Sequence, residues 1–171
     1  MMKNELLMPL DLQYFAEATM HARNAIHGAQ GRAYVTIEGN RYLFAQLINL
    51  EANMEKTKTQ VPIMGRTGKG NKATGWEGTG SATFHFNTSI FRQLLKRYKD
   101  TGEDIYFDIQ VTNEDKSSTV GSQTTILIDC NLDGGLVASL DADAEYLEDS
   151  IEFTFEDWDM PVEFATLPEM L

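Results

Sequence analysis

Hydrophobic positions recur with period two over most of the chain, the signature of strands with one buried face. From Gly31 onward Ala33, Val35 and Ile37 alternate with Tyr34, Thr36 and Glu38, and Gly39 with Asn40 then offers the positive-φ pair of a tight hairpin turn. The return strand takes in Tyr42 and Phe44 and runs on, with Ile48, Leu50, Ala52 and Met54 on one face and Asn49, Glu51, Asn53 and Glu55 on the other. Residues 61–75 break the alternation with a proline, four glycines and Arg66, Lys69 and Lys72, so an exposed loop is expected over about 59–75. After Trp76 the string SATFHF alternates again, and then the period changes. Ile90, Phe91, Leu94, Leu95 and Tyr98 fall on one helical face and Arg92, Gln93, Lys96, Arg97 and Lys99 on the other. This predicts a helix over about 89–101, with Asn87, Thr88 or Ser89 to cap its start and Gly102 its end. Ile105, Phe107, Ile109 and Val111 mark a further strand, and Thr124, Ile126, Ile128, Cys130 and Leu132 another. Over 148–157 the even positions Glu148, Ser150, Glu152, Thr154 and Glu156 are polar, while Ile151, Phe153 and Phe155 are apolar. The expected fold is mainly β and mostly antiparallel, a sandwich or barrel with one flanking helix. It divides into an N-terminal arm over 1–23, the β domain over 24–159 and a C-terminal tail over 160–171.

Charge alters this picture more than length does. The chain has 171 residues, enough for one domain with a real core, and its 14 Lys and Arg against 26 Asp and Glu leave a net charge of −12. That balance argues against gripping nucleic acid by phosphate neutralisation. The distribution is uneven: residues 1–100 carry 13 basic and 8 acidic side chains, residues 101–171 only 1 basic and 18 acidic. Lys56, Lys58, Arg66, Lys69 and Lys72 stand in a run without Asp or Glu. A solvated loop is the plain reading, and head-to-tail self-association, basic loop against acidic surface, is the sharper one. No apolar run approaches the ~20 residues that span a bilayer, so no membrane anchor is expected, and the first 20 residues lack the ordered regions of an export signal.

Reactive chemistry is hard to find. GRTGKGNKAT misses the glycine–lysine order of a phosphate-binding loop. His21, His27 and His85 lack metal-ligand spacing, and Asp141, Asp143 and Glu145 lack the glycine and distal glutamate of a calcium loop. The lone Cys130 excludes an intrachain disulfide and a multi-cysteine zinc site. Glu152 and Glu156 belong to a regular wet row, not to two contrasting environments. Neither an enzyme nor a cofactor or metal site is expected.

The strings ARNAIHGAQGRAYVTIEGNRYLF, VPIMGRTGKGNKATGWEGTGSATFHF, FRQLLKRYKDTG and VTNEDKSSTVGSQTTILIDCNLD, followed by EFTFEDWD, resemble the tail tube proteins of PBSX-type phage-like particles and related contractile-tailed phages. The resemblance runs from about residue 22 to 159. It implies a structural protomer, six of which form a ring, with rings stacked into a hollow tube inside a contractile sheath. Each protomer would lend about four strands to a shared inner β-barrel. The implied partners are further copies of the chain, the sheath protein, and baseplate and terminator proteins, with DNA only as passive cargo. The implied location is a virion tail or tail-like particle assembled in the bacterial host cytoplasm. On that architecture Glu51, Glu55, Glu148, Glu152 and Glu156 are expected to face the channel, and Lys56, Lys58, Arg66, Lys69 and Lys72 to meet an adjoining subunit or ring. Two alternatives stand beside this: a ring-forming cap or terminator protein, and a monomeric β-barrel whose Trp76, Phe84 and Phe86 line a ligand pocket.

Overall fold

Period-two segments become strands because alternate side chains reach a common core, and a computed structural model, which describes residues 19–167, contains seven of them. They are β1 (Arg32–Ile37), β2 (Asn40–Leu43), β3 (Leu47–Val61), β4 (Gly70–His85), β5 (Phe107–Glu114), β6 (Ser122–Gly135) and β7 (Glu148–Val162), with helix α1 (Ile90–Thr101) between β4 and β5. All pair antiparallel in one sheet of order β2-β1-β5-β6-β7-β4-β3. Its apolar face curls around Val35, Ile37, Phe84, Phe107, Ile109, Leu127, Cys130, Ile151, Phe153 and Phe155. Helix α1 closes this core by inserting Phe91 among Phe44, Phe84 and Phe107, with ring centroids 5.5, 5.5 and 5.9 Å away. The helix ends as expected at Gly102, which takes φ 72° and donates its N–H to the Tyr98 carbonyl at 2.7 Å.

Several local expectations shift. The turn after β1 centres on Glu38 (φ 49°) and Gly39 (φ 81°), because Ile37 pairs with Asn40. Asn40 is already strand, and Glu38 takes the left-handed position that a two-residue turn requires. The long second strand is two strands at opposite edges of the sheet. Phe44 turns into the core between them, and a bulge at Ile48 leaves that side chain exposed. On β6 the apolar row is Thr124, Leu127 and Cys130, not every second residue. A register shift there puts Asp129 at φ 52°, its N–H donating to Asp108 Oδ1 at 3.1 Å.

The expected loop over 59–75 is mostly strand, since Thr59, Gln60 and Val61 pair with Lys72, Asn71 and Gly70. Only residues 62–69 form the tip. Polar and glycine-rich composition hid the pairing because neither face of this ribbon touches the core. Order extends a little past the expected end of the β domain at 159 and reaches its expected start at 24. Residues 160–162 belong to β7, and Asn24 is buried, its Oδ1 accepting from Thr119 N and Oγ1. The arm before residue 19 and the tail beyond 167 lie outside the described residues.

Candidate assembly surfaces

Register places the sequence-predicted acidic residues together. Glu51 pairs with Ser81 and Ser81 with Glu152, while Glu55 pairs with Glu77. Alternation along β7 puts Glu148 and Glu156 on the side of Glu152, opposite the buried Ile151, Phe153 and Phe155. All five predicted carboxylates therefore share the wet face of the β7-β4-β3 region. Glu77 joins them, one step past the Gly78–Phe155 pair. Sequence reasoning missed it because the glycines around it masked the alternation; Trp76 on its apolar side was the available signal. Glu55 and Glu77 stand directly opposite each other, an arrangement that costs stability in a sheet. Nothing in the core of this protomer requires it.

The five cations divide among three places. Lys56 pairs with Trp76, whose ring lies 6.2 Å from Phe155, so Lys56 extends the apolar side of the ribbon, and Lys58 follows it two residues on. Lys72 pairs with Thr59 on the opposite side, and Arg66 and Lys69 sit in the tip. All five are exposed. Among the described residues the ribbon has no third strand beyond the Gly78–Phe155 pair. From there to the Val61–Gly70 pair is seven residue steps, a projection of roughly 24 Å. Every residue from 51 to 61 and from 71 to 77 is exposed.

Trp76, Phe84 and Phe86 do not line a common pocket. Phe84 is wholly buried beside Phe44 and Phe91, Phe86 lies under the Arg92 guanidinium at 4.0 Å, and Trp76 stands out on the ribbon. The ligand-pocket alternative loses its lining because the chain sends these rings to separate neighbourhoods.

Two polar anchors that the sequence did not suggest fix the frame behind these surfaces. Arg92 of α1 donates to the buried Asp149 of β7 at 2.7 Å and also to the Thr88 carbonyl. Burial pushes the Asp149 carboxyl up from the usual range, with Arg92 pulling against it. Asp115, in the β5–β6 turn, accepts from Ser117 N and Oγ and from His27 N, and these bonds, the Ser117 hydroxyl foremost, hold its carboxyl below the usual range. That turn also takes the chain after β7, through Ala165 N to the Val120 carbonyl at 2.8 Å.

The sequence profile of the family described as phage tail tube protein matches residues 18–161. The chain belongs to that family. Over 142 residues it is 44% identical to the phage-like element PBSX protein XkdM of Bacillus subtilis (strain 168), covering 83% of this chain and 94% of that protein. Its fold is also that of a chain in the anti-feeding prophage baseplate, solved by cryo-electron microscopy with six-fold symmetrisation. The TM-score there is 0.58 at 14% identity, covering 84% of this chain and 94% of the other. The SPP1 tail tube compares at TM-score 0.57 and 14% identity over 84% and 83% of the two chains. The cap that terminates the anti-feeding prophage tube compares at 0.57 and 10% over 86% and 97%. The resemblance read from the sequence thus stands at the level of family and fold: the chain is a member of the phage tail tube protein family.

Proposed function

We propose that this tail tube protein is a non-catalytic protomer that closes into six-membered rings, and that the rings stack into a hollow conduit with the acidic face inward. The observation that carries the reading is the two-stranded ribbon. A hairpin without a third strand or a packed face is marginal in water, and this one is fully formed and fully exposed. It gains partners when β3 and β4 of successive protomers join a common barrel. About 24 strands spaced ~4.8 Å and tilted ~40° give a backbone diameter of roughly 48 Å. Glu51, Glu55, Glu148, Glu152, Glu156 and Glu77 then line the wall. With a Debye length near 8 Å, such a wall repels phosphate at close approach and leaves DNA free to slide as passive cargo.

The ribbon tip with Arg66 and Lys69, and Lys72 beside it, reaches acidic groups of the adjoining ring, a heterologous contact that propagates because it does not close. Solved relatives come from baseplate, tail tube and cap assemblies, which supports sheath, baseplate and terminator proteins as partners. It also supports a virion tail or tail-like particle, assembled in the host cytoplasm, as the location. Negative-stain electron microscopy across a concentration series tests the reading. Hollow tubes are expected, and uniformly monomeric particles at high concentration would count against it. The likeness to a tube-terminating cap favours one second reading, a terminator, which forms single rings and never tubes in the same images. Reversing charge at Lys69 and Lys72 together should shorten or abolish tubes while rings and thermal stability persist; full-length tubes from that variant would remove the tip from the stacking contact.

A further inference from the structure

Two strands of the β6-β7-β4-β3 run have an unused backbone edge. Among the described residues no strand lies beyond β3 along Leu47–Val61. β6 is flanked by β5 only as far as Cys130, which pairs with Phe107, whereas β7 continues alongside Asn131, Leu132, Gly134 and Gly135. The β5-side edge of residues 131–135 is therefore open. These four strands alternate in direction, so a rotation that preserves up and down brings β3 of one copy antiparallel to β6 of the next.

Beside the open β6 edge, under the C-terminal half of α1, lies a cleft of about 220 Å³. Leu94, Leu95, Tyr98 and Ile105 supply apolar wall and Asp104 a carboxylate, while Asp133, whose Oδ1 accepts from Thr154 Oγ1 at 3.5 Å, stands at the rim toward the acidic face. Asn131 also lines it, and its Nδ2 is buried without a hydrogen-bond partner. A buried amide donor left open in a single copy needs an acceptor, which a backbone carbonyl of an added strand can supply and a lysine ammonium cannot. The cleft has no basic lining residue, and it adjoins the negative end of the α1 dipole. Across a ring joint the β3 face on this side of the sheet presents Met54, Lys56 and Lys58. A lysine matches such a cleft: an aliphatic stem for the wall and an ammonium for the rim.

We propose that this cleft is a socket for a second copy of the chain: the β3 edge of one protomer adds to the open edge of β6 in the next, seating Lys56 and Lys58 against Leu94, Leu95 and Tyr98 with their ammonium groups at Asp104 and Asp133. The inference rests on the ring reading and adds which edges meet. It also separates the cations by task, Lys56 and Lys58 within a ring and Arg66, Lys69 and Lys72 between rings.

The test mixes two full-length variants, Lys58→Cys and Tyr98→Cys, each with one new thiol, and treats the assembled mixture with a short bismaleimide. Cys130 is buried, so a covalent dimer reports a link between copies. Dimers containing one chain of each variant are expected from the mixture, and none from Lys69→Cys mixed with Tyr98→Cys. In parallel, Lys56→Glu with Lys58→Glu should cut ring yield at least tenfold, and adding Asp104→Lys with Asp133→Lys to the same chain should restore it. Near-ultraviolet circular dichroism confirms that each variant is folded. Rings without the cross-link, or charge-reversed variants that assemble like the wild type, overturn the socket and leave the ring reading standing. A wild-type chain that forms no rings overturns the ring reading and the socket with it.

Discussion

Substituting Gly80 by alanine tests the packing that lets β4 carry the acidic face. Gly80 pairs with Phe153 of β7 on one side and Ala52 of β3 on the other, and the Phe153 ring lies across its backbone. A Cβ added at Gly80 would stand 2.4 Å from Phe153 Cζ, 2.5 Å from Cε2 and 3.1 Å from the Glu51 carbonyl oxygen. Carbon atoms rest about 3.5–4 Å apart, so the ring must retreat by more than 1 Å. It has little room, being wholly buried with Phe107 6.4 Å away. Overpacking of this kind costs about 1–3 kcal/mol, and the lower chain entropy of alanine returns about 0.5 kcal/mol. The expected net loss is about 1.5 kcal/mol, or a Tm lower by roughly 3–6 °C for a domain of this size. Urea unfolding followed by tryptophan fluorescence measures it. Gly75→Ala is the control, since a Cβ there meets nothing within 4 Å. Phe153→Leu removes the obstructing ring atoms, so the double variant should be about 1 kcal/mol less destabilised than the sum of the singles. A Gly80→Ala variant as stable as Gly75→Ala, or a strictly additive double variant, refutes the reasoning.

Three further outcomes follow from the same frame. Burial, its largest cause, pushes the Cys130 thiol up to about 12, so a disulfide reagent at pH 8 should label it only after unfolding; rapid labelling of the folded chain would contradict its place in the core. Arg92→Ala strands the Asp149 carboxylate in its buried position and should cost about 3 kcal/mol near pH 7. Because burial already raises that carboxyl, the folded variant binds a proton more readily than the unfolded chain, so the loss should shrink as pH falls; a pH-independent loss in paired urea titrations would argue against it. Glu38→Gly relieves a left-handed residue at φ 49° while giving up an exposed contact to Arg97 at 2.8 Å, and a gain of about 0.5 kcal/mol is expected from thermal unfolding.

Sequence patterning revealed the elements wherever one face meets the core. β1, β5, β7 and α1 were legible because Val35, Ile109, Phe153 and Phe91 recur against polar partners at the right period. It failed where pairing occurs without burial. Residues 59–61 and 70–75 are strand by hydrogen bonding alone, and glycine and lysine there carry no alternation to read. The Asp129 bulge likewise turns a period of two into steps of three on β6, which no local composition announces. The acidic face was legible residue by residue, but bringing Glu51 beside Glu152 depends on β4 lying between β3 and β7, a tertiary fact.

The parts of the fold that look wrong for a single copy gather at the two open edges of the β6-β7-β4-β3 run. A long, exposed edge strand is a hazard that natural sheets blunt by shortness, proline or twist, yet β3 runs 15 residues with none of them shielded by more than partial burial. Glu55 faces Glu77, Met54 and Trp76 stand in solvent, and Asn131 holds an amide without an acceptor. Local conflicts of this sort usually mark function, because selection would otherwise have removed them. A closed barrel removes sheet edges altogether, and rotation is the operation that matches an edge at β3 with one at β6. In the proposed tube, closure would place the opposed carboxylates around open water, where the repulsion between Glu55 and Glu77 is weaker than on a packed surface and would keep a passing polyanion from adhering. The features that cost the isolated protomer stability are thus the ones that the proposed tube would use.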